Sequence, residues 1–182
     1  MIQRKQTKKI FIGDTAVGGD APITVQSMTN TDTSDTAATV GQIKGLEKAG
    51  CEIIRVAIPD MEAAKAVRAI REEISIPLIA DIHFDSRLAV AALEHGAQAI
   101  RINPGNLGGP DKLARVVDAA KMHKTPIRVG VNSGSIEKDL LEKYGYPTPE
   151  NCRSLIESAL NNVAALEKQG FDEIKISIKS SD

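Results

Sequence analysis

The sequence predicts an α/β fold of the (β/α)8 TIM-barrel type, incomplete, with about six βα units behind an N-terminal hairpin. Three observations carry this prediction. Short apolar runs alternate strictly with amphipathic helical segments through short loops, which is the pattern of a parallel sheet flanked by helices. Five of those runs, IIRVAIPD, LIADIHFD, AIRINPGN, IRVGVNSGS and IKISIKSSD, carry polar or charged residues at or just past their C-terminal ends, where a barrel of this type builds its site. No GxGxxG follows the first strand and no GxxxxGK[ST] occurs, so dinucleotide-binding and P-loop folds lose their main support.

The elements follow in order. Turn signals at Gly13-Asp14 and Gly18-Gly19-Asp20 predict a small hairpin over residues 8–20. Residues 1–21 are therefore a hairpin segment and 22–182 the partial barrel. PITVQSMT, residues 22–29, reads as the first strand. Over 35–50, Ala38, Val40, Ile43 and Leu46 fall roughly at helical spacing, and Gly50 closes the segment as a C-terminal cap does. Strand 52–58, helix 61–73, strand 77–82, helix 86–95, strand 98–103, helix 110–124 and strand 126–132 continue the alternation. A longer connection with one short helix leads to helix 150–169, ended by Gly170, and to strand 172–179. A complete barrel needs roughly 200 to 250 residues, so a sequence ending at Asp182 just after a strand is expected to be part of a larger protein. The first and last strands would then be open edges, which invite association.

Composition narrows the function classes. With 182 residues, 42% hydrophobic and 26% charged, the chain matches an ordinary globular domain with a sizeable core. A formal net charge of -1 and a pI near 6.3 provide no global field for nucleic acid or anionic membrane. The basic start MIQRKQTKKI lacks the apolar stretch of a signal peptide, and no run approaches a membrane span. A cytoplasmic protein with neither membrane nor nucleic-acid partner is expected. Cys51 and Cys152 form no CxxC; both are expected to be buried small hydrophobes rather than members of a disulfide or metal site.

The chemistry lies on one face of the strands. Residues i and i+2 of a strand share a side, which groups Arg101 with Asn103, Arg128 with Gly130 and Asn132, Asp81 with His83, and Lys175 with Ser177 and Lys179. Arg55 shares its side with Ile53 and Ala57. The opposite parity holds Ile54, Val56, Ile82, Ile100, Ile102, Val129, Val131, Ile174, Ile176 and Ile178, which suit contact with outer helices. The polar set therefore faces the barrel axis. Arg55, Arg101, Arg128 and a lysine of the last strand converging there repel one another and call for an anion; guanidinium forks match phosphate oxygens, and the cation count matches a diphosphate better than one carboxylate. Pairing within the barrel leaves Asp81 as the strong acidic partner, too little for three guanidiniums. Asp81 and His83 are candidates for orienting or proton-donating work, while no second His or carboxylate stands at metal-ligand spacing. His95 and His123 fall at helix C-termini, where a cation is favourable. The turns Asn103-Pro-Gly-Asn106 and Asn132-Ser-Gly-Ser135 offer amides and backbone donors beyond the Arg strands. Segment 136–149 reads as a solvated short helix or as a lid over the site.

Taken together, VQSMTNTDT, IIRVAIPD, LIADIHFD, AIRINPGN, IRVGVNSGSIEKDLLEKYG, PTPE and KISIKSSD resemble the N-terminal barrel of the bacterial 4-hydroxy-3-methylbut-2-enyl diphosphate synthase family of the non-mevalonate isoprenoid pathway. The resemblance covers essentially the whole chain. It implies that the barrel binds 2-C-methyl-D-erythritol 2,4-cyclodiphosphate. A [4Fe–4S] cluster, fed by flavodoxin or ferredoxin, would deliver two electrons for ring opening and loss of a hydroxyl. It also implies that Arg55, Arg101, Arg128 and Lys179 hold the diphosphate, with Asn103, Asn132 and Ser177 as polar contacts and His83 and Asp81 nearby. In the family the cluster sits on three Cys and a Glu of a C-terminal domain, and in the homodimer that domain closes over the partner's barrel. Neither Cys51 nor Cys152 matches those ligands, so this chain alone is expected to bind substrate without turning it over. Two alternatives stand beside this reading. One is a pterin-binding barrel of the dihydropteroate synthase kind, against which the strand end Ser27-Met28-Thr29-Asn30 argues. The other is a non-catalytic anion-binding fragment.

Overall fold

The computed structural model describes residues 5–180. β1 (Ile10–Ile12) and β2 (Thr15–Val17) form an antiparallel hairpin, turned at Gly13 with φ +56°. A six-stranded parallel sheet follows in strictly sequential order: β3 (Gln26–Met28), β4 (Ile53–Ala57), β5 (Leu78–Asp81), β6 (Ala99–Ile102), β7 (Ile127–Asn132) and β8 (Ile174–Lys179). The connections carry α1 (Thr36–Lys48), α2 (Met61–Glu73), α3 (Ser86–Glu94), α4 (Pro110–Met122), the short α5 (Lys138–Tyr144) and α6 (Arg153–Glu167). This is the incomplete barrel-type sheet and hairpin that the alternation predicts.

Local chemistry explains where the helices begin. Asp35, Asp60 and Asp85 stand at the N-caps of α1, α2 and α3, and their carboxylates accept from the N–H groups of Ala38, Ala63 and Arg87 at 3.0, 2.9 and 2.9 Å. Each such cap contributes about 1 kcal/mol. α4 opens differently, with Gly109 before Pro110 and no side-chain cap; proline suits the first helical position because that N–H has no partner within the helix.

The core lies between the outer face of the sheet and the helices. Ile54, Val56, Ile100, Ile102, Val129 and Val131 are fully buried there with Val67 and Ile70 of α2, Leu93 of α3 and Val117 of α4. A second, smaller cluster lies on the inner face, where Ile53, Ile79 and Ala99 pack with Ile12 and the half-buried Val17 of the hairpin. The hairpin thus plugs the barrel at the N-terminal ends of the strands.

Several sequence expectations change in detail. The first strand shrinks from 22–29 to Gln26–Met28, leaving Ile23 and Val25 exposed. β3 is a sheet edge and Pro22 has no N–H to donate; Val25 is still tied to the start of β4, its carbonyl accepting from the Glu52 and Ile53 N–H groups and its N–H donating to Glu52 Oε2. In α1 the core residue is Thr39 rather than Ala38, its hydroxyl donating to the Asp32 carbonyl at 2.9 Å. Cys51 is buried with Sγ 3.1 Å from the Ile53 carbonyl, whereas Cys152 is exposed at the N-cap of α6, where a helix end faces solvent. Ile176 and Ile178 point outward from β8 as parity requires, yet are about half exposed, since among the described residues no helix follows β8 to cover them. No helix of the described residues is long and apolar enough to cross a membrane.

Candidate functional site

Strand register assembles the site. Asp81 of β5 stands beside Arg101 of β6, Arg101 beside Arg128 of β7, and Arg128 beside Lys175 of β8. Side-by-side partners in a parallel sheet share a face, so these side chains form one row across the inner face, just above the apolar plug. Arg55 of β4 lies one level lower, level with Ile79, and its Nε donates to Met28 Sδ at 3.2 Å.

Asp81 is the charge centre of the row. Its side chain is buried, with Oδ1 3.3 Å from Arg101 Nη1 and Oδ2 3.5 Å from Arg55 Nε. His83 Nε2 lies 3.7 Å from Oδ1, too long for a direct hydrogen bond, and its ring is half exposed. Arg101, at 8% exposure, is among the most buried charges in the chain. Arg128 has a poorer environment: Nη1 reaches Gln26 Oε1 at 3.4 Å, while its buried Nε has no partner. Among the described residues no carboxylate lies within 4.0 Å of it. Burial, and then the neighbouring Arg55 and Arg101 guanidiniums, hold Arg128 below the ordinary arginine pKa. Lys175 is pushed down as well, first by burial and then by Arg128. Four cations against a single carboxylate in a half-buried pocket leave positive charge that an anion would neutralise.

The remaining predicted residues lie above this floor. Gly130 pairs with Ser177 and Asn132 with Lys179 in register. Asn103 is buried, and its Oδ1 lacks a hydrogen-bond partner; Ser177 Oγ donates to the Val129 carbonyl at 3.4 Å. Asn132 is half-buried, and His83 and Lys179 are exposed. The predicted set therefore divides into a floor of buried Asp81 and Arg101 with half-buried Arg55 and Arg128, and a level above it of buried Asn103, half-buried Asn132 and Ser177, and exposed His83 and Lys179. Lys175, absent from the predicted set, completes the floor. Parity with Ser177 and Lys179 carries its signal, and only the β7–β8 register shows it level with Arg128.

The loop tips contribute less than the sequence suggests. The Gly105 N–H of the Asn103–Asn106 turn donates to Asn162 Oδ1 of α6 at 3.1 Å and is not free for a ligand. α5 is clamped to α6, since Tyr144 Oη donates to Glu157 Oε2 at 2.7 Å and Lys143 Nζ reaches Oε1 at 3.2 Å. Glu157 is held below the usual carboxylate range by the Tyr144 hydroxyl and then by Lys143. His95 caps α3 as expected, with Nδ1 2.8 Å from the Ala91 carbonyl. A groove of about 510 Å³ runs between the start of α4 and α6, is lined by Pro110, Leu113 and Ala165 among others, and includes none of the charged row. Among the described residues no group of three His, Cys, Asp or Glu can hold a metal ion. These residues therefore offer no seat for an iron–sulfur cluster.

With this geometry in place, comparison with known proteins is decisive: the family model for the GcpE TIM-barrel domain matches residues 7–182. The chain belongs to the GcpE TIM-barrel family. Among curated relatives, the 4-hydroxy-3-methylbut-2-en-1-yl diphosphate synthase (flavodoxin) of Desulfotalea psychrophila is 65% identical over 182 residues, covering 100% of this chain and 50% of the relative. The protein of the same name from Lawsonia intracellularis is 60% identical over 178 residues, covering 98% and 49%. This GcpE chain thus spans about half the length of the curated relatives it matches. Solved structures show the fold alone. The 7,8-dihydropteroate synthase of Vibrio fischeri superposes with a TM-score of 0.65 at 15% identity, over 93% of the GcpE chain and 66% of the synthase. A truncated 3-deoxy-D-arabino-heptulosonate 7-phosphate synthase of Thermotoga maritima gives 0.67 at 12% identity, over 97% and 60%.

Proposed function

We propose that this GcpE barrel is the substrate-binding part of a 4-hydroxy-3-methylbut-2-en-1-yl diphosphate synthase, a cytoplasmic, homodimeric iron–sulfur oxidoreductase of isoprenoid biosynthesis served by flavodoxin. The observation that carries the reading is the row Asp81, Arg101, Arg128 and Lys175 with Arg55 beneath it, in a chain closely similar to proteins of that name. The substrate is 2-C-methyl-D-erythritol 2,4-cyclodiphosphate. Arg101 and Arg128 grip its phosphoryl oxygens through their forks, and Lys175 and Arg55 add point charge from either side. Asp81 aims Arg101 and Arg55 rather than touching the anion, which it would repel. Above them, Asn103, Asn132, Ser177 and Lys179 contact the remaining polar atoms, and His83, 3.7 Å from Asp81, serves to hold a proton near the ring. These residues bind and orient; the reduction itself is not assigned to them.

Calorimetry on the chain tests the reading, with three titrants: the cyclodiphosphate, a pterin diphosphate and inorganic pyrophosphate. The cyclodiphosphate should bind, weaken as salt screens the cations, and prefer this barrel to the pterin diphosphate. A pterin diphosphate binding tenfold more tightly would overturn the assignment and favour the activity named for the dihydropteroate synthases that share the fold.

A further inference from the structure

Gly130 occupies the middle of β7 between the buried Val129 and Val131. Glycine weakens a strand interior, and no backbone constraint calls for it here, because its φ lies outside the left-handed region. The reason for glycine lies across the strand. A Cβ at this position would stand 2.6 Å from Arg101 Nη2 and 2.9 Å from Arg101 Cζ, closer than a carbon can approach either atom. The Arg101 guanidinium therefore lies directly against the bare main chain of β7. It reaches back to Asp81 at 3.3 Å, with Arg128 as its register neighbour.

We propose that Gly130 is a positioning residue for the anion site, its missing side chain forming the slot that holds the Arg101 guanidinium flat in the row. The inference rests on the anion-binding reading above. β7 yields less readily than a side-chain end, because it is paired with β6 up to Val129 and with β8 at Gly130 itself. The guanidinium is the free end of a flexible side chain, so a Cβ at position 130 displaces it. The displaced Arg101 parts from Asp81 and leaves the plane in which it shares an anion with Arg128. A lysine at 101, with no planar fork, passes beside a Cβ more easily, so the effect of a methyl at 130 depends on which cation it meets.

The test combines Gly130→Ala, Arg101→Lys and the double variant. Phenylglyoxal labelling mapped by mass spectrometry reads the position of Arg101 without any ligand, and calorimetry with inorganic pyrophosphate reads the site. In Gly130→Ala the labelling rate of Arg101 should rise about tenfold, with the exposed Arg87 unchanged, while pyrophosphate affinity falls on the order of tenfold. In the Arg101→Lys background the same alanine should change affinity less than about twofold, since the clash is gone. Unchanged Arg101 labelling in a folded Gly130→Ala protein overturns the proposal, as does an equal loss of affinity in both backgrounds. Should Gly130→Ala not fold, a folded double variant supports the slot and an unfolded one overturns it. Failure of the unsubstituted chain to bind pyrophosphate would sink the diphosphate reading while leaving the labelling to decide the slot.

Discussion

Within two residues along three neighbouring strands, the barrel interior changes character: Ile53, Ile79 and Ala99 give way to Arg55, Asp81 and Arg101. The lower set packs against Ile12 and Val17 of the hairpin and excludes water. The upper set, with Arg128 and Lys175 beside it, crowds four cations around one carboxylate. Backbone geometry is the same in both, so the contrast belongs to the side chains alone. The lower end gains free energy by burial, whereas the upper end gives some up by holding like charges together without a full complement of partners. Stability and binding should therefore be separable by substitution, a separation that conservation at the two ends of such barrels also reflects.

The largest effect should come from the lower end. Ile79→Ala empties a fully packed position and should lower unfolding stability by about 2–5 kcal/mol, measured by urea titration, with pyrophosphate affinity of the folded protein kept within about twofold. A large loss of affinity would show that plug and charged row are mechanically linked. Arg128→Met is the opposite case. Removing a half-buried cation without a carboxylate partner should raise stability by on the order of 1 kcal/mol while weakening pyrophosphate binding roughly tenfold or more; a loss of stability would mean that Arg128 is already well satisfied. The smallest effect is a proton count. Burial and Arg128 lower the Lys175 pKa below 10.5 in the free protein, and a bound anion raises it again. Between those two values binding must take up a proton, so calorimetry in buffers of different ionisation enthalpy should show uptake on the alkaline side, absent in Lys175→Met. The same shift has a stability consequence of fixed sign. The folded state is penalised while Lys175 is charged, and that penalty disappears as pH rises from the lowered pKa toward 10.5.

Period-two geometry made the two faces of the sheet legible in the sequence. Arg101, Asp81 and Arg128 face inward, and Ile54, Ile100 and Val129 outward, because a strand admits no other arrangement. What sequence alone could not fix is the level at which each side chain sits, since that depends on the register between strands. Parity puts Lys175 and Lys179 on one face, and only the β7–β8 pairing sets Lys175 beside Arg128. Contacts distant in sequence were equally hidden. The Gly105 N–H donates to Asn162 of α6 and the Arg101 guanidinium lies against Gly130, contacts that no local sequence pattern signals. Exposure of Ile176 and Ile178 had no local signal either, because it depends on what packs outside β8.

The aspartate caps also shape the approach to the site. Helix N-termini in βα units stand at the same end of the sheet as the strand C-termini, so each directs a partial positive charge toward the mouth. On the flank of α1, α2 and α3 that charge is met by the carboxylates of Asp35, Asp60 and Asp85. α4 has no side-chain cap bond but carries Asp111 in its first turn, whereas α6 has neither a cap bond nor an acidic residue there. On the proposed reading this tilts the potential over the mouth toward α6, and an incoming anion would be drawn down the β7–β8 side, next to Arg128 and Lys175.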